Sequence, residues 1–517
     1  MAHQPDSVSD EFVNHYLPER TIAQLQADLQ NGTVTSRQLV LGYIERIEQI
    51  DRSGPTLRSV IELNPDALAM AEQLDEERSR SGPRGILHGI PVLIKDNIDT
   101  DDRMLSTAGS LALTTSQPAQ EATVARQLRE AGVIFLGKTN LSEWANFRSS
   151  NSISGWSGRG GQTRNANKLD CNPSGSSSGS GAAAAASLAA ATLGTETDGS
   201  IVSPSNVNGI VGLKPTVGLS SRAGVVPISH SQDTVGPMVR CVADAAALLG
   251  TLTGVDPRDP ATAASAGKTL HHYTQFLDPK GLVGARIGVA RQVYTGYHAE
   301  TDALFEQALQ TLRHAGAEII DPADLATAQE MKSRDGELKV MLYEFKRDLA
   351  AYLATRVASP AHPDAIIPRT LAELITFNNE HRDQEMPLFG QELFERSEAL
   401  DLSEADYLQI LADNCRLAGQ EGIDATLERY QLDAIVAPTG APAWQIGPKP
   451  LDKYLGGCAS PAAMAGYPLI TVPMGYVDVR PVGLTFMASA WSEPTLIRLA
   501  FAYEQASKLR RPPSYLP

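Results

Sequence analysis

A lysine and two serines stand at positions where they could act together on an acyl group. Lys95 directly follows a short apolar run, Ser176 lies in a glycine- and serine-rich segment, and Ser200 closes a glycine-containing turn. A serine hydroxyl attacks a carbonyl carbon only when a base takes its proton, and the resulting oxyanion needs hydrogen-bond donors. Residues of these types could support nucleophilic acyl chemistry if the lysine acted as a base.

Lys95 can serve as the base only if its surroundings lower its pKa. The usual lysine pKa is near ~10.4, and burial lowers it because a desolvated ammonium is unfavourable. The apolar run before Lys95 predicts that the stem of this side chain is buried. The neighbouring Asp96 would raise the pKa if its carboxylate faced the amine, so we expect that carboxylate to point elsewhere.

Two further motifs match catalytic patterns but lack the surroundings that those patterns need. Residues 132–139 satisfy the phosphate-binding pattern G-x-x-x-x-G-K-[ST], yet the four variable positions are bulky apolar residues that predict a strand. Residues 175–179 satisfy G-x-S-x-G, yet loop-forming residues precede them where a nucleophile elbow needs a strand. We therefore expect neither nucleotide binding nor an α/β-hydrolase elbow.

Composition excludes several classes of partner. The formal net charge is −16 over 517 residues, which argues against binding nucleic acid or anionic membranes because both need basic patches. The four cysteines form no CxxC pair, so we expect reduced thiols and no zinc site. No stretch reaches ~18 bulky apolar residues, and the first twenty residues contain no apolar signal region. These features predict a cytoplasmic protein without a membrane segment.

The elements that must position the three residues alternate between helix and strand. Apolar spacing predicts two helices within residues 19–50, the first capped by Thr21 and the second by Ser36. Residues 325–430 are mostly helical in pattern. The alternation favours an α/β sheet, which the short apolar runs of the last 85 residues can rejoin. Helices are also expected at residues 67–81, 123–131, 181–191, 243–253 and 302–314, and strands at residues 90–94, 133–136, 285–290, 434–437, 469–472 and 483–487.

Four ordered motifs around these residues closely resemble the amidase signature family. They read GIPVLIKDN at residues 89–97, PSGSSSGS at 173–180, GTETDGSI at 194–201 and GIVGLKPT at 209–216. The resemblance runs from about residue 20 to the C-terminus and is densest between residues 85 and 240. It implies an α/β fold with a large mixed central β-sheet covered by helices on both sides. We expect residues 1–517 to form a single domain with a helical insertion at about 325–430.

The resemblance also implies a role for each of the three residues. Ser200 falls on the nucleophile of the family, Ser176 on the relay serine that follows a cis peptide bond, and Lys95 on the base. Ser176 can accept the proton of Ser200 and pass its own proton to Lys95. The implied oxyanion donors are the backbone amides of Thr197, Asp198, Gly199 and Ser200.

The sequence departs from the family at three positions. Ser174 replaces the first glycine of a usual pair, Asp198 stands where many relatives have glycine, and Val202 replaces a common arginine. Without that arginine, a substrate carboxylate has no partner at this position. The sequence therefore argues against small dicarboxylate monoamides as substrates.

Two local segments narrow the expected substrate. Residues 144–148 and 155–158, together with the TETDGSIV string, resemble bacterial peptide amidases, which remove ammonia from C-terminal peptide amides. We expect hydrolysis of a small-molecule or peptide amide to carboxylate and ammonia through an acyl-Ser200 intermediate. No metal, cofactor or obligatory protein partner is implied. Two alternatives stay open, namely an A-type subunit of a tRNA-dependent amidotransferase and an amidase that acts on aryl or fatty amides.

Overall fold

The structure of the protein is a computed structural model that describes residues 7–447 and 453–517. Strands and helices alternate along much of the chain. The strands are β1 (Val60–Leu63), β2 (Pro91–Lys95), β3 (Ser116–Pro118), β4 (Ile134–Thr139), β5 (Trp156–Ser157), β6 (Gly161–Gln162), β7 (Ala191–Glu196), β8 (Val211–Lys214), β9 (Thr234–Val239), β10 (Arg286–Val289), β11 (Glu318–Ile320), β12 (Arg356–Ala358), β13 (Ala434–Pro438), β14 (Leu469–Val477) and β15 (Arg480–Met487).

The helices differ widely in length. The α-helices are α1 (Ile22–Gln30), α2 (Ser36–Arg46), α3 (Ala67–Ser81), α4 (Thr123–Glu130), α5 (Ser178–Ala185), α6 (Val202–Asn208), α7 (Val242–Leu252), α8 (Ala299–His314), α9 (Ala328–Ser333), α10 (Gly336–Ala354), α11 (Leu371–Glu380), α12 (Arg382–Glu385), α13 (Glu392–Ala399), α14 (Glu404–Cys415), α15 (Ala425–Tyr430), α16 (Ser460–Ala465) and α17 (Glu493–Ser507). Short π-helical segments lie at Phe12–Tyr16, Ile47–Arg52 and Arg416–Asp424, and 3₁₀ turns at Leu111–Leu113, Glu143–Asn146, Pro260–Ser265 and Tyr273–Phe276.

One mixed sheet of eleven strands organises the molecule. Its strand order is β1-β4-β2-β7-β9-β8-β14-β15-β13-β10-β11. β2 runs parallel to both of its neighbours, β4 and β7, whereas β9 runs antiparallel to β7 and β8. The C-terminal strands join the sheet where β14 pairs with β8 in antiparallel orientation. The predicted mixed sheet is therefore confirmed, and the last 85 residues do rejoin the strands that begin near residue 90.

The central strands carry apolar runs because they are covered on both faces. Every residue of β2, β4, β7, β8 and β9 is buried. A strand with one solvated face would alternate apolar and polar residues, whereas a strand covered on both faces reads as a continuous apolar run. Helices therefore cover both sides of the sheet, as the resemblance implied.

Two predictions about individual helices are wrong. The alanine-rich helix expected at residues 181–191 begins earlier and ends at Ala185, and Ala191 starts β7. Alanine carries no amphipathic pattern, so the sequence could not separate the end of a buried helix from the start of a buried strand. The cap of α2 is Thr35 instead of Ser36, because the Thr35 hydroxyl accepts from the Gln38 amide at 3.1 Å in a capping box.

Helices dominate the region after β11, as predicted. Helices α9 to α15 fill most of the chain between Ala328 and Tyr430, with the short strand β12 pairing with β3. A separate hydrophobic cluster joins this region to the segment before the glycine- and serine-rich stretch, since Phe345 packs edge-on against Phe147. The division into one domain with an insertion stays a prediction. Among the helices described, none is both long and apolar enough to cross a membrane.

Candidate active site

Lys95 ends β2, an interior strand of the sheet, and is completely buried. Its Nζ lies 2.8 Å from the hydroxyl of Ser176 and 2.8 Å from the hydroxyl of Thr195. The Thr195 carbonyl oxygen is a third partner at 3.3 Å. Thr195 belongs to β7, the parallel neighbour of β2, so the sheet itself holds the amine against two hydroxyl groups.

Burial lowers the pKa of Lys95 to about 7, although the carboxylates of Asp233 and Glu196 act in the opposite direction. The Asp96 carboxylate accepts instead from the Gly109 amide at 3.1 Å and from the Arg159 guanidinium at 3.2 Å. The expectation that Asp96 points away from the amine is therefore confirmed. Lys95 can exist as a neutral amine near neutral pH, which a general base requires.

Ser176 lies at the start of α5 and follows a cis peptide bond with Gly175. The Ser176 carbonyl accepts hydrogen bonds from the amides of Ser142 and Ser178 at 3.0 and 2.8 Å. A Cβ atom at Gly175 would lie only 2.3 Å from the Ser142 hydroxyl and 2.8 Å from the side-chain oxygen of Asn146. This close approach explains why the sequence keeps glycine directly before Ser176.

Ser200 lies in the turn that connects β7 to α6. The Glu196 carboxylate accepts from the amides of Ile201 and Val202 at 2.7 and 3.0 Å, which fixes the turn. The amide of Ser177 donates to the Ser200 carbonyl at 3.2 Å, so the segments that carry the two serines are in direct contact. Within the described chain no hydrogen bond joins the hydroxyls of Ser176 and Ser200; such contacts often tighten only when substrate binds.

The predicted oxyanion donors line the same cleft as Ser200. Gly199 adopts a φ of 78°, the left-handed conformation that allows the chain to turn sharply before the serine. Across residues 7–447 and 453–517, the amides of Asp198, Gly199 and Ser200 donate to no protein acceptor. Three adjacent amides without protein acceptors beside a serine suit a developing oxyanion.

The cleft above Ser200 has a volume of about 1250 Å³. Its floor is formed by Ser200 with the turn before it, and by Ser174 and Gly175. Its walls come from distant parts of the chain, including residues 293–297, the start of α10 and the segment around Trp444. A cleft of this size accommodates several residues of a peptide or an equivalent organic molecule.

Glu337 was not predicted as part of the site, and Asp198 was predicted only for its main-chain amide. Asp198 and Glu337 both line the cleft, and their side chains are hydrogen-bonded to each other. The Ser460 hydroxyl donates to Asp198 at 2.7 Å, and the Gln232 side chain donates to Glu337 at 3.0 Å. The unusual Asp198 was visible in the sequence, but nothing near Glu337 indicated that it would reach the same place.

The two misleading motifs take the structural roles that their surroundings indicated. Lys138 belongs to β4, and its amine donates to the Ile98 carbonyl and to the Ser106 hydroxyl. Ser177 exchanges hydrogen bonds with the main chain of Thr195, at 3.0 Å as donor and 3.2 Å as acceptor. Neither motif has the strand-and-loop geometry of the phosphate-binding or nucleophile-elbow patterns.

Comparisons with known proteins identify the family. The family model described as Amidase matches residues 38–497. A probable amidase of Arabidopsis thaliana is 42% identical over 97% of this chain and 92% of its own length. The crystal structure of the peptide amidase from Stenotrophomonas maltophilia has 50% sequence identity and a TM-score of 0.90, and covers 96% of this chain and 99% of its own.

A more distant relative represents one of the alternatives. The A-type subunit of the glutamyl-tRNA(Gln) amidotransferase from Halorhodospira halophila is 33% identical over 95% of this chain and 97% of its own length. The family model extends across most of the chain, and the named relatives span nearly their full lengths. This chain therefore belongs to the amidase signature family of amide hydrolases.

Proposed function

We propose that this amidase hydrolyses the terminal carboxamide of peptide amides, with Ser200 as nucleophile, Ser176 as proton relay and Lys95 as base. The observation that carries the proposal is the buried hydrogen bond of 2.8 Å between Lys95 and Ser176, with the pKa of the lysine lowered to about 7. A neutral amine accepts a proton from Ser176, which in turn accepts the proton of Ser200.

The reaction follows from this arrangement in two halves. Ser200 Oγ attacks the carboxamide carbon while its proton passes through Ser176 to Lys95, and the amides of the 197–200 turn hold the oxyanion. Return of the proton to the nitrogen breaks the C–N bond and releases ammonia, which leaves an acyl-serine. Water then attacks this ester, the same relay takes the proton of the water, and Ser200 is restored as the carboxylic acid leaves.

The substrate assignment rests on two features. The Stenotrophomonas maltophilia enzyme is a peptide amidase, and half of its residues are identical to those of this chain. The cleft, at about 1250 Å³, is large enough for a peptide, and Val202 offers no cationic partner for a substrate carboxylate. Both favour a neutral peptide amide over a small anionic amide.

A mutation tests the roles in the site. Ser200→Ala removes the nucleophile, and we expect kcat to fall by several orders of magnitude while the circular dichroism spectrum stays unchanged. A folded variant that retains more than about a tenth of the wild-type kcat would require another nucleophile.

A substrate series tests the activity. The purified protein is incubated with an N-acetyl peptide amide, an aryl amide and a fatty amide, and ammonia release is followed together with product mass. We expect conversion of the peptide amide to the free acid without shorter fragments, and the same peptide with a free carboxylate serves as the control. Cleavage of internal bonds, or turnover of the fatty amide alone, would contradict the substrate assignment.

The amidotransferase alternative rests on the relative from Halorhodospira halophila. A protein of that kind depends on other chains. Ammonia release from small peptide amides by this protein alone, at a rate proportional to its concentration, is therefore the expected result for our proposal. Turnover that appears only after other chains are added would favour the alternative.

A further inference from the structure

The side chain of Asp198 faces the cleft two residues before Ser200, and the mechanism above uses only its main-chain amide. We propose that the Asp198 carboxylate, hydrogen-bonded to Glu337, accepts a hydrogen bond from an N–H group attached to the α-carbon of the acyl group. Its negative charge disfavours a substrate carboxylate attached to the same carbon. This inference rests on the proposed function and names the class of acyl group that the site selects, namely amides of α-amino acids and of peptides.

The pair is assembled from separate parts of the fold. Asp198 belongs to the turn after β7 in the floor of the cleft, whereas Glu337 comes from the first turn of α10 in its wall. Ser460, which begins α16, supplies a third contact by donating to Asp198 at 2.7 Å. Because three separate elements meet at this carboxylate, its position beside the nucleophile is fixed before a substrate arrives.

The two carboxyl groups are joined by a hydrogen bond. Burial raises the pKa of Asp198 and, together with the neighbouring Asp198 charge, raises the pKa of Glu337 well above its usual range. Two carboxyl groups in contact share a proton, because both cannot ionise at such short range. In this proposal Glu337 holds the shared proton and donates in a hydrogen bond to the Asp198 carboxylate.

The Asp198 carboxylate keeps acceptor capacity on the side of the cleft. A carboxylate offers about four lone-pair sites, of which Ser460 and Glu337 occupy two. Asp198 is only half-buried, so its remaining lone pairs are accessible from the cleft. Cationic side chains that line the cleft, such as Lys332 and Lys453, lie exposed at the rim, where solvent screens their charge.

Asp198 and Ser200 line the same cleft, so in this proposal the α-nitrogen of a substrate bound at Ser200 contacts the Asp198 carboxylate. The α-nitrogen is two covalent bonds from the carbonyl carbon that Ser200 attacks. The main-chain amide of Asp198 is among the proposed oxyanion donors, so the same residue is placed beside the reacting carbonyl group. In a peptide amide the α-nitrogen position carries an N–H donor. An arylalkyl amide has a methylene hydrogen there and leaves these lone pairs of Asp198 without a donor, and malonamate places a carboxylate on the same carbon. A site built around a hydrogen bond rejects such analogues strongly.

The test compares substrates that differ only at the α-carbon. The ratio of kcat/KM for N-acetylphenylalanine amide to that for 3-phenylpropanamide is measured for the wild type, Asp198→Asn and Glu337→Gln. We expect a wild-type ratio of about 100 or more, a loss of about tenfold or more in Asp198→Asn, and a smaller loss in Glu337→Gln. The kcat/KM for malonamate, relative to that for 3-phenylpropanamide, should rise in Asp198→Asn because the repulsion is relieved.

Asp335→Asn is the matched control. Asp335 stands two residues before Glu337, is exposed and forms an ion pair with Lys339 at 3.0 Å. Its removal deletes a carboxylate outside the cleft, so the substrate ratio should not change. A change as large as that in Asp198→Asn would show a long-range charge effect and overturn the inference.

The remaining outcomes are distinct. If the wild type hydrolyses peptide amides but neither cleft variant changes the ratio, the inference falls and the proposed function stands. If Asp198→Asn fails to fold, the substrate ratio of Glu337→Gln tests the inference, because Glu337 lies outside the 197–200 turn. If the wild type releases ammonia from none of these amides, both the proposed function and this inference are overturned.

Discussion

Two buried lysines on neighbouring strands differ in what surrounds their amines. Lys95 ends β2 and Lys138 lies in β4, where it pairs with Ile94 across the parallel ladder. Both side chains are completely buried, and burial lowers the pKa of each. Because residues alternate along a strand, Lys95 and Lys138 project to opposite faces of the sheet.

The partners of the two amines separate their roles. Lys95 contacts the hydroxyls of Ser176 and Thr195. Lys138 contacts a main-chain carbonyl and a serine, and its charge is balanced by carboxylates that include Asp96, Asp99 and Asp102. A lowered lysine pKa therefore does not identify a catalytic base by itself. What identifies Lys95 as the candidate is the relay serine in contact with it.

The largest effect is expected from Lys95→Ala, which removes the base. We expect kcat/KM for a peptide amide to fall by about 10³-fold or more. Lys95→Arg should not restore activity, because a guanidinium stays protonated and cannot accept a proton. Steady-state kinetics on variants with unchanged circular dichroism measures both. An active Lys95→Arg enzyme would show that position 95 supplies only positive charge.

Lys138→Met should act on stability instead of chemistry. The change leaves buried carboxylates without their cation, and we expect the free energy of unfolding to fall by about 3 kcal/mol. Urea denaturation gives this value, and kcat per folded molecule should stay close to that of the wild type. A variant that is as stable as the wild type but inactive would place Lys138 in the reaction and remove the contrast between the lysines.

The pH dependence of kcat/KM should report Lys95 and not Lys138. The base acts only when neutral, so activity is lost as pH falls through its pKa and is fully present above it. With the pKa of Lys95 at about 7, kcat/KM should fall about tenfold per pH unit well below that value and level off on the alkaline side. The same acidic limb should persist in Lys138→Met. If the acidic limb of the pH profile disappeared in Lys138→Met, the ionisation would belong to Lys138 and not to Lys95.

A smaller effect is expected from Thr195→Val. The Thr195 hydroxyl accepts from Lys95 and from the Asn97 side chain at 3.0 Å, so its loss frees the amine to rotate and removes an acceptor that favours the ammonium. We expect kcat to fall about tenfold and the acidic limb to move to lower pH.

Thr192→Val provides the control on the same strand. The Thr192 hydroxyl donates to the carbonyls of Ser180 and Met238, away from Lys95. Loss of this hydroxyl should leave the pH profile unchanged. A similar shift of the acidic limb in both variants would mean that Thr195 acts through the strand and not through the amine.

The sequence predicts features that local patterns determine. The helix expected at residues 67–81 has the same bounds as α3, and the apolar runs before Lys95 and around residue 135 are buried strands. The contact between Lys95 and Ser176 followed from the family resemblance, since the two residues are far apart in the chain. The single-domain organisation stays a prediction.

The sequence did not predict features that depend on tertiary structure. The alanine-rich stretch could not be divided between α5 and β7, because alanine fits a buried helix and a buried strand equally. Glu337 lies in a charged helical region where an acidic residue usually faces solvent. Only the packing of α10 against the cleft brings it to Asp198, and no short-range pattern encodes that approach.

The separate origins of the floor and the walls of the cleft have a practical consequence for enzyme redesign. The floor belongs to the turn after β7 and to the segment before α5, whereas the exposed Lys332 and Arg334 lie at the end of α9 on the wall. A combinatorial library confined to these two wall positions leaves every buried strand intact. Each member then keeps the same nucleophile, and differences in turnover among members, measured per folded molecule, report acyl-group preference.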